Sequence, residues 1–183
     1  MSAIRYVLLT LLVREPLSGY DIKQQMNSRI GPFWKVGSNQ IYPTLSKLRA
    51  DGYVKLQGVE LHEYRPARKL YAITERGREA LIQWTVESGG LGTIRDELLL
   101  KAYNLWLVDP AKMIVRVEEI KKQHEGILAD YLAKVEELKP LRDSRLKMDP
   151  ISSSVAVVEF GIQYEKLYID WCNRLLVGMG GDR

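Results

Sequence analysis

At 183 residues the chain is long enough for one large core or two small ones, and its 46% apolar and 27% charged content belongs to a globular protein rather than a disordered one. Cys172 is the single cysteine, which excludes an intrachain disulfide and fits a cytoplasmic setting. The net charge of +4 is uneven: residues 1–88 hold 13 Lys and Arg against 8 Asp and Glu, and residues 89–183 hold 14 against 15, so a polyanionic partner is expected at the first half.

Ala3 to Val13 is apolar nearly all round (Ile4, Val7, Leu8, Leu11, Leu12) and predicts a helix buried on more than one side. Arg14, Glu15 and Pro16 follow with no small-residue cleavage site, and the run is too short to span a bilayer, so neither a signal peptide nor a membrane anchor is expected. Ser18 with Asp21 forms a capping box that opens a second helix, with Ile22 and Met26 facing inward. Ile30 to Gly37, with two glycines, Pro32, Phe33 and Trp34, reads as a turn pinned by aromatics.

The stretch from Ser38 to Val54 carries the strongest functional signal. Ile41, Leu45 and Leu48 give one narrow apolar stripe, Ser38 suits an N-cap, and Gly52 sits where a helix stops. The opposite face (Asn39, Gln40, Tyr42, Pro43, Ser46, Lys47) is mostly small or hydrogen-bonding, with a single charge. A solvated face would carry more Glu and Lys, whereas short amides and hydroxyls reach base edges and phosphates in a DNA groove. Proline costs little within a first helical turn, which predicts a helix start near Asn39–Tyr42 and puts Tyr42 and Pro43 at the phosphate-favouring N-terminus.

Tyr53 to Val59 reads as a strand and Lys69 to Ile73 as its hairpin partner, with His62, Arg65, Arg68 and Lys69 between or beside them. A hairpin with cations near its tip, following a recognition helix, is a wing placed to meet DNA backbone. Thr74 then caps a helix from Glu75 to about Glu87, with Leu81, Ile82 and Trp84 as its apolar residues.

Over residues 1–88 the chain resembles the PadR-like winged-helix transcriptional regulators. The resemblance rests on Leu17-Ser18-Gly19-Tyr20-Asp21-Ile22, on Ile41-Tyr42-Pro43-Thr44-Leu45 with Leu48, Gly52 and Tyr53, and on Arg68 to Gly77. It implies that Tyr42 and its neighbours face DNA and that the wing cations contact backbone. It also implies a C-terminal helical domain that dimerises, and responsiveness to small aromatic or planar compounds.

Ser88 to Gly92 is glycine-rich and marks the expected boundary between a DNA-binding domain, 1–88, and a helical domain, 93–183. Thr93 with Asp96 predicts a capping box and a helix to about Val108. Asp109-Pro110 starts a long helix with Met113, Val117, Ile120, His124, Ile127, Tyr131, Val135 and Leu138 on one seam, about 40 Å in length at 1.5 Å per residue, which Pro140 ends. Asp149-Pro150 starts the last helix, to about Val177. One apolar stripe runs Ile151, Val155, Val158, Ile162, Ile169, Leu176, and the other Val157, Tyr164, Tyr168, Trp171, Leu175. A helix apolar on two sides must be covered twice, so a homodimer is expected through Val155, Val158, Ile162, Tyr164, Tyr168 and Ile169.

The expected fold is therefore mostly α with a small β-hairpin: an N-terminal winged helix-turn-helix domain and a C-terminal all-α dimerisation domain. The expected function is sequence-specific binding of a pseudo-palindromic double-stranded DNA operator by a homodimeric repressor, released by a small aromatic effector near Trp106 and Trp171. The alternative is a winged-helix interaction adaptor that does not read DNA. His62 and His124 lie in different halves and Cys172 stands alone, so no metal, cofactor or catalytic grouping is expected, and His124 reads as a satisfied interface histidine. The pairs Asp96-Glu97 and Glu136-Glu137 are expected to be solvated.

Overall fold

The computed structural model describes residues 3–26, 37–62, 65–90, 92, 94–142 and 149–180. It divides into two compact units, Met1–Gly92 and Thr93–Arg183.

The first unit runs α1 (Ala3–Leu12), β1 (Leu17–Ser18), α2 (Gly19–Gln25), α3 (Ser38–Ala50), β2 (Val54–His62), β3 (Arg65–Ile73) and α4 (Glu75–Val86). Its core is built on α1, where Tyr6, Val7, Leu8, Leu9, Leu11 and Leu12 are all buried. Ile22 and Met26 from α2, the Ile41–Leu45–Leu48 stripe of α3, Val54 and Leu81 complete it. Each fully buried aliphatic side chain contributes about 1.5–3 kcal/mol relative to exposure.

Local signals set the boundaries. The Ser18–Asp21 capping box is present in both directions. At the end of α3, Tyr53 N–H donates to the Leu48 carbonyl at 2.9 Å and Gly52 N–H to that of Arg49 at 3.1 Å. These two bonds form a Schellman motif, whose left-handed residue is Gly52 at φ 76°. Thr74 caps α4, its hydroxyl accepting from Gly77 N–H.

Three details differ from the sequence reading. The sheet has three antiparallel strands in the order β1-β3-β2, because Leu17 and Ser18 pair with Tyr71 and Leu70. Two residues give no periodicity, so β1 is invisible in sequence. The helix α3 begins at Ser38 itself, with Gly37 as N-cap and no side-chain cap bond. Pro43 therefore lies in its second turn, where the missing N–H leaves the Asn39 carbonyl without its usual donor. Ile82 is exposed rather than part of the apolar face of α4. The aromatic turn around Trp34 lies outside the described residues.

The second unit runs α5 (Glu97–Ala102), a short 3-10 turn (Leu105–Leu107), α6 (Pro110–Leu138), a second 3-10 turn (Lys139–Leu141) and α7 (Pro150–Gly178). Both long helices start as the Asp-Pro signals require, with Asp109 and Asp149 capping. They pack on each other around Val117, Tyr168, Cys172 and Leu176, with Leu98 from α5. The expected helix to Val108 breaks early. The Asn104 side chain occupies the Leu100 carbonyl, and Asn104 N–H turns to Lys101 instead. Asp96 is the cap of α5, accepting from the N–H groups of Leu98 and Leu99; Thr93 lies outside the described residues.

Candidate nucleic-acid interface

The buried stripe of α3 fixes which of its sides faces out. Asn39, Gln40, Tyr42, Pro43, Ser46 and Lys47 are all exposed. The Ser38 side chain lies outside the described residues. The N-cap, Gly37, makes no side-chain cap bond, and the helix dipole favours an anion at this end of α3. Asn39 Oδ1 lies close over Gly37, in space that a Cβ would fill. Tyr42 is 58% exposed. One side of its ring nevertheless rests on Gly19 at the start of α2, where an added Cβ would come within 2.5 Å of Cε1.

The wing is longer than its sequence pattern suggests. β2 and β3 pair from Val54↔Ile73 out to His62↔Arg65, with irregular register between Leu56 and Gly58 and between Glu60 and His62. Residues 63–64 and the side chains of His62 and Arg65 lie outside the described residues. Lys69 is exposed. Arg68 turns back onto the body: its guanidinium lies 4.9 Å from the Tyr20 ring centroid, and Nη1 is 4.0 Å from Asp21 Oδ1. At the other end of the hairpin, Arg5 pairs with Asp51, and the guanidinium groups of Arg5 and Arg76 sit 5.5 and 5.0 Å from the Tyr53 ring. Trp84 stacks on Tyr6 at 4.6 Å. The contacts made by Gly19, Tyr20 and Arg68 join residues far apart in the chain, so no local pattern announces them.

In the second unit the six residues expected at a subunit interface divide. Val155, Ile162 and Tyr168 are buried within the single chain, while Val158, Tyr164 and Ile169 are half-buried. That side of α7 faces the protomer's own interior. The apolar residues left exposed on α7 are instead Val157, Phe160, Leu167 and Val177. Val157, Phe160, Tyr164, Leu167 and Trp171 follow one another at spacings of three and four, the repeat of a helix–helix seam.

His124 is satisfied within the chain. Its Nδ1 pairs with the buried Glu165 carboxylate, and its ring stacks on Tyr168 with centroids 3.8 Å apart. Tyr168 donates to Asp96 Oδ2 at 2.8 Å, so Asp96 is no freely solvated carboxylate but a half-buried link between α5 and α7. Burial and that hydrogen bond push the Tyr168 hydroxyl far above its ordinary value. Burial and then the Glu165 charge push Tyr131 up to about 12. Burial also raises Tyr164 and the Cys172 thiol, the latter against the lowering effect of Lys121. Trp106 is 80% exposed on its 3-10 turn. Trp171 packs edge-on to Tyr168 at 5.5 Å. A groove of about 510 Å³ floored by Leu132, Val135, Phe160 and Ile162 is lined by neither tryptophan. Among the described residues no group of three or more His, Cys, Asp or Glu is arranged to hold a metal ion.

Comparison with known proteins matches residues 8–83 to the transcriptional regulator PadR-like family and residues 94–177 to the virulence activator alpha C-terminal family. The negative transcriptional regulator PadR of Bacillus subtilis is 27% identical over the full length of both chains. The crystal structure of Bacillus subtilis PadR in complex with operator DNA superposes with a TM-score of 0.85 at 26% identity, covering 98% of each chain. Its complex with p-coumaric acid superposes with a TM-score of 0.77, covering 98% of this chain and 99% of that one.

Proposed function

We propose that the chain, whose residues 8–83 match the PadR-like family of transcriptional regulators, is a homodimeric repressor that reads a pseudo-palindromic operator and releases it when a small aromatic effector binds. The observation that carries this reading is the exposed face of α3: six neighbouring side chains that hydrogen-bond or stack, with one charge, standing on a fully buried stripe. Support comes from Bacillus subtilis PadR, a negative regulator solved with operator DNA and with p-coumaric acid.

In this reading residues 1–88 bind DNA. Ser38 and Asn39 lead α3 into the major groove, Gln40, Tyr42 and Ser46 meet base edges, and Lys47 takes a phosphate. Pro43 adds an apolar surface suited to a thymine methyl. Arg65 and Lys69 flank the backbone. Residues 93–183 form the dimer, through the exposed Val157, Phe160 and Leu167 rather than the side of α7 already spent on α6. The aromatic surface around Trp106 and Trp171 is the proposed entry for the effector. Binding and release suffice for such a protein, so no catalysis is assigned to it. Its place is the cytoplasm, and no helix among the described residues is long and apolar enough to cross a membrane.

A salt-controlled mobility-shift assay tests the assignment. Tyr42→Ala and Lys47→Ala should each weaken operator binding on the order of ten-fold and leave the dimer intact. Lys47→Ala should also lower the salt slope by about one. Unchanged affinity in both variants would sink this face as the reading surface. Absence of any salt-dependent DNA affinity in the wild-type chain would favour an interaction adaptor instead.

A further inference from the structure

We propose that the first turn of α2 positions both DNA-reading elements, with Gly19 the seat of Tyr42 and the Tyr20–Asp21 pair the anchor of Arg68; this deepens the reading above and rests on it.

The geometry starts at Ser18. β1 fixes this residue against Leu70 of the wing, and its side chain is nearly fully buried. Asp21 Oδ2 accepts from Ser18 N–H at 3.0 Å and from Ser18 Oγ at 2.6 Å, which locks the turn. The other oxygen of the same carboxylate, Oδ1, faces Arg68 Nη1 at 4.0 Å. Tyr20 lies beneath the Arg68 guanidinium at 4.9 Å and stays half-exposed, a geometry in which the ring quadrupole attracts the cation. Asp21 thus serves as helix cap on one oxygen and wing anchor on the other.

Gly19, one residue along, makes the second connection. A Cβ there would lie 2.5 Å from Tyr42 Cε1, 3.0 Å from Cζ and 3.1 Å from Cδ1. Three ring atoms meet the same point, so the edge of the Tyr42 ring must swing off Gly19 to make room for a methyl group. Tyr42 is exposed and Gly19 carries an ordinary helical φ, so that move costs the fold little. It costs the presentation of the phenol. Gly19 is therefore a positioning residue acting through Tyr42, and Arg68 is a tether that sets the wing against α2 rather than a phosphate ligand.

The experiment is a double-mutant cycle in DNA affinity, measured by fluorescence anisotropy on a duplex recovered by selection from a random pool, with full-length protein over a salt series. Gly19→Ala should weaken binding on the order of ten-fold with an unchanged thermal melt. The same substitution should cost nothing in a Tyr42→Ala background and keep its full cost in a Tyr42→Phe background, which retains the ring. Equal losses in all three backgrounds, or none in the wild type, would overturn the role of Gly19. Arg68→Gln should weaken binding with the salt slope unchanged, which requires no folding of the Gly19 variant. A slope lower by about one would make Arg68 a phosphate contact and overturn the anchor. If the wild-type chain binds no duplex while Lys47→Ala is equally inert, the DNA reading itself fails and this inference fails with it.

Discussion

Among the described residues, the first unit buries fourteen apolar side chains and leaves six large ones exposed, whereas the second buries eight and exposes fifteen. The difference follows from architecture. In the first unit α1 is surrounded by α2, α3, α4 and the sheet, so nearly every aliphatic residue finds a neighbour. In the second, two 29-residue helices lie along each other with only the short α5 to help. Each can cover one side of its partner and no more. Soluble monomers rarely expose contiguous apolar surface on that scale. The first unit is therefore a finished domain, and the second is the one whose exposed apolar residues the proposed second copy would cover.

The contrast can be broken most sharply at α7. Val157→Asp combined with Leu167→Asp places carboxylates in the proposed seam twice per dimer. Burying an unpaired charge costs roughly 3–5 kcal/mol, so the dissociation constant should rise by a factor on the order of a thousand. Sedimentation velocity reads the result, and an intact dimer at micromolar protein would place the interface elsewhere. Leu45→Ala strikes the finished unit instead. Leu45 is 0% exposed, and a core Leu→Ala change costs about 2–5 kcal/mol. Denaturant titration should show the first unit unfolding early and DNA binding lost while the dimer persists; a simultaneous loss of dimerisation would mean the two units do not stand apart.

Smaller effects sharpen the same comparison. Gly52 holds φ 76° at the corner between α3 and β2, where an L side chain costs about 1–2 kcal/mol. Gly52→Ala should lower the melting temperature of the first unit alone, and an unchanged melt would show that the corner relaxes freely. Alkaline pH should act on the second unit. Tyr131, pushed up to about 12 by burial and by Glu165, keeps its proton in the folded protein above the ordinary value of 10, while the unfolded chain loses it. The folded state then binds more protons, so stability falls as pH rises between about 10 and 12. Tyrosinate absorbance should rise together with loss of helix in that window; early titration without loss of helix would contradict the burial of α6 against α7.

How much of this was legible depended on how local each cause is. The capping box at Ser18–Asp21, the Schellman stop at Gly52, the Thr74 cap and both Asp-Pro starts follow from residues within one turn of each other, and they stand where the sequence puts them. The exposed polar face of α3 was legible too, because the Ile41–Leu45–Leu48 stripe fixes its opposite. The starting point of α3 was not, since Pro43 suits a first turn by its chemistry and yet sits one turn further in. Which side of α7 meets α6 was not legible either. Val155, Val158 and Ile162 and the stripe through Val157 and Tyr164 look alike in sequence, and only the position of α6 decides which is spent inside the protomer. Tyr168 lies on the inner side because Asp96, 72 residues away, accepts its hydroxyl. Gly19 and Arg68 belong to the same class, as their partners come from other elements.

Selection of bound duplexes from a random DNA pool, at fixed salt and with the full-length protein, tests most directly whether a finished reading unit is paired by an unfinished dimerising one. The expected result is a two-fold symmetric sequence whose half-sites lie about one helical turn, roughly 34–36 Å, or a multiple of it apart. Enrichment of a lone asymmetric half-site would contradict the dimer, and a pool no different from its input would contradict the reading of DNA by α3.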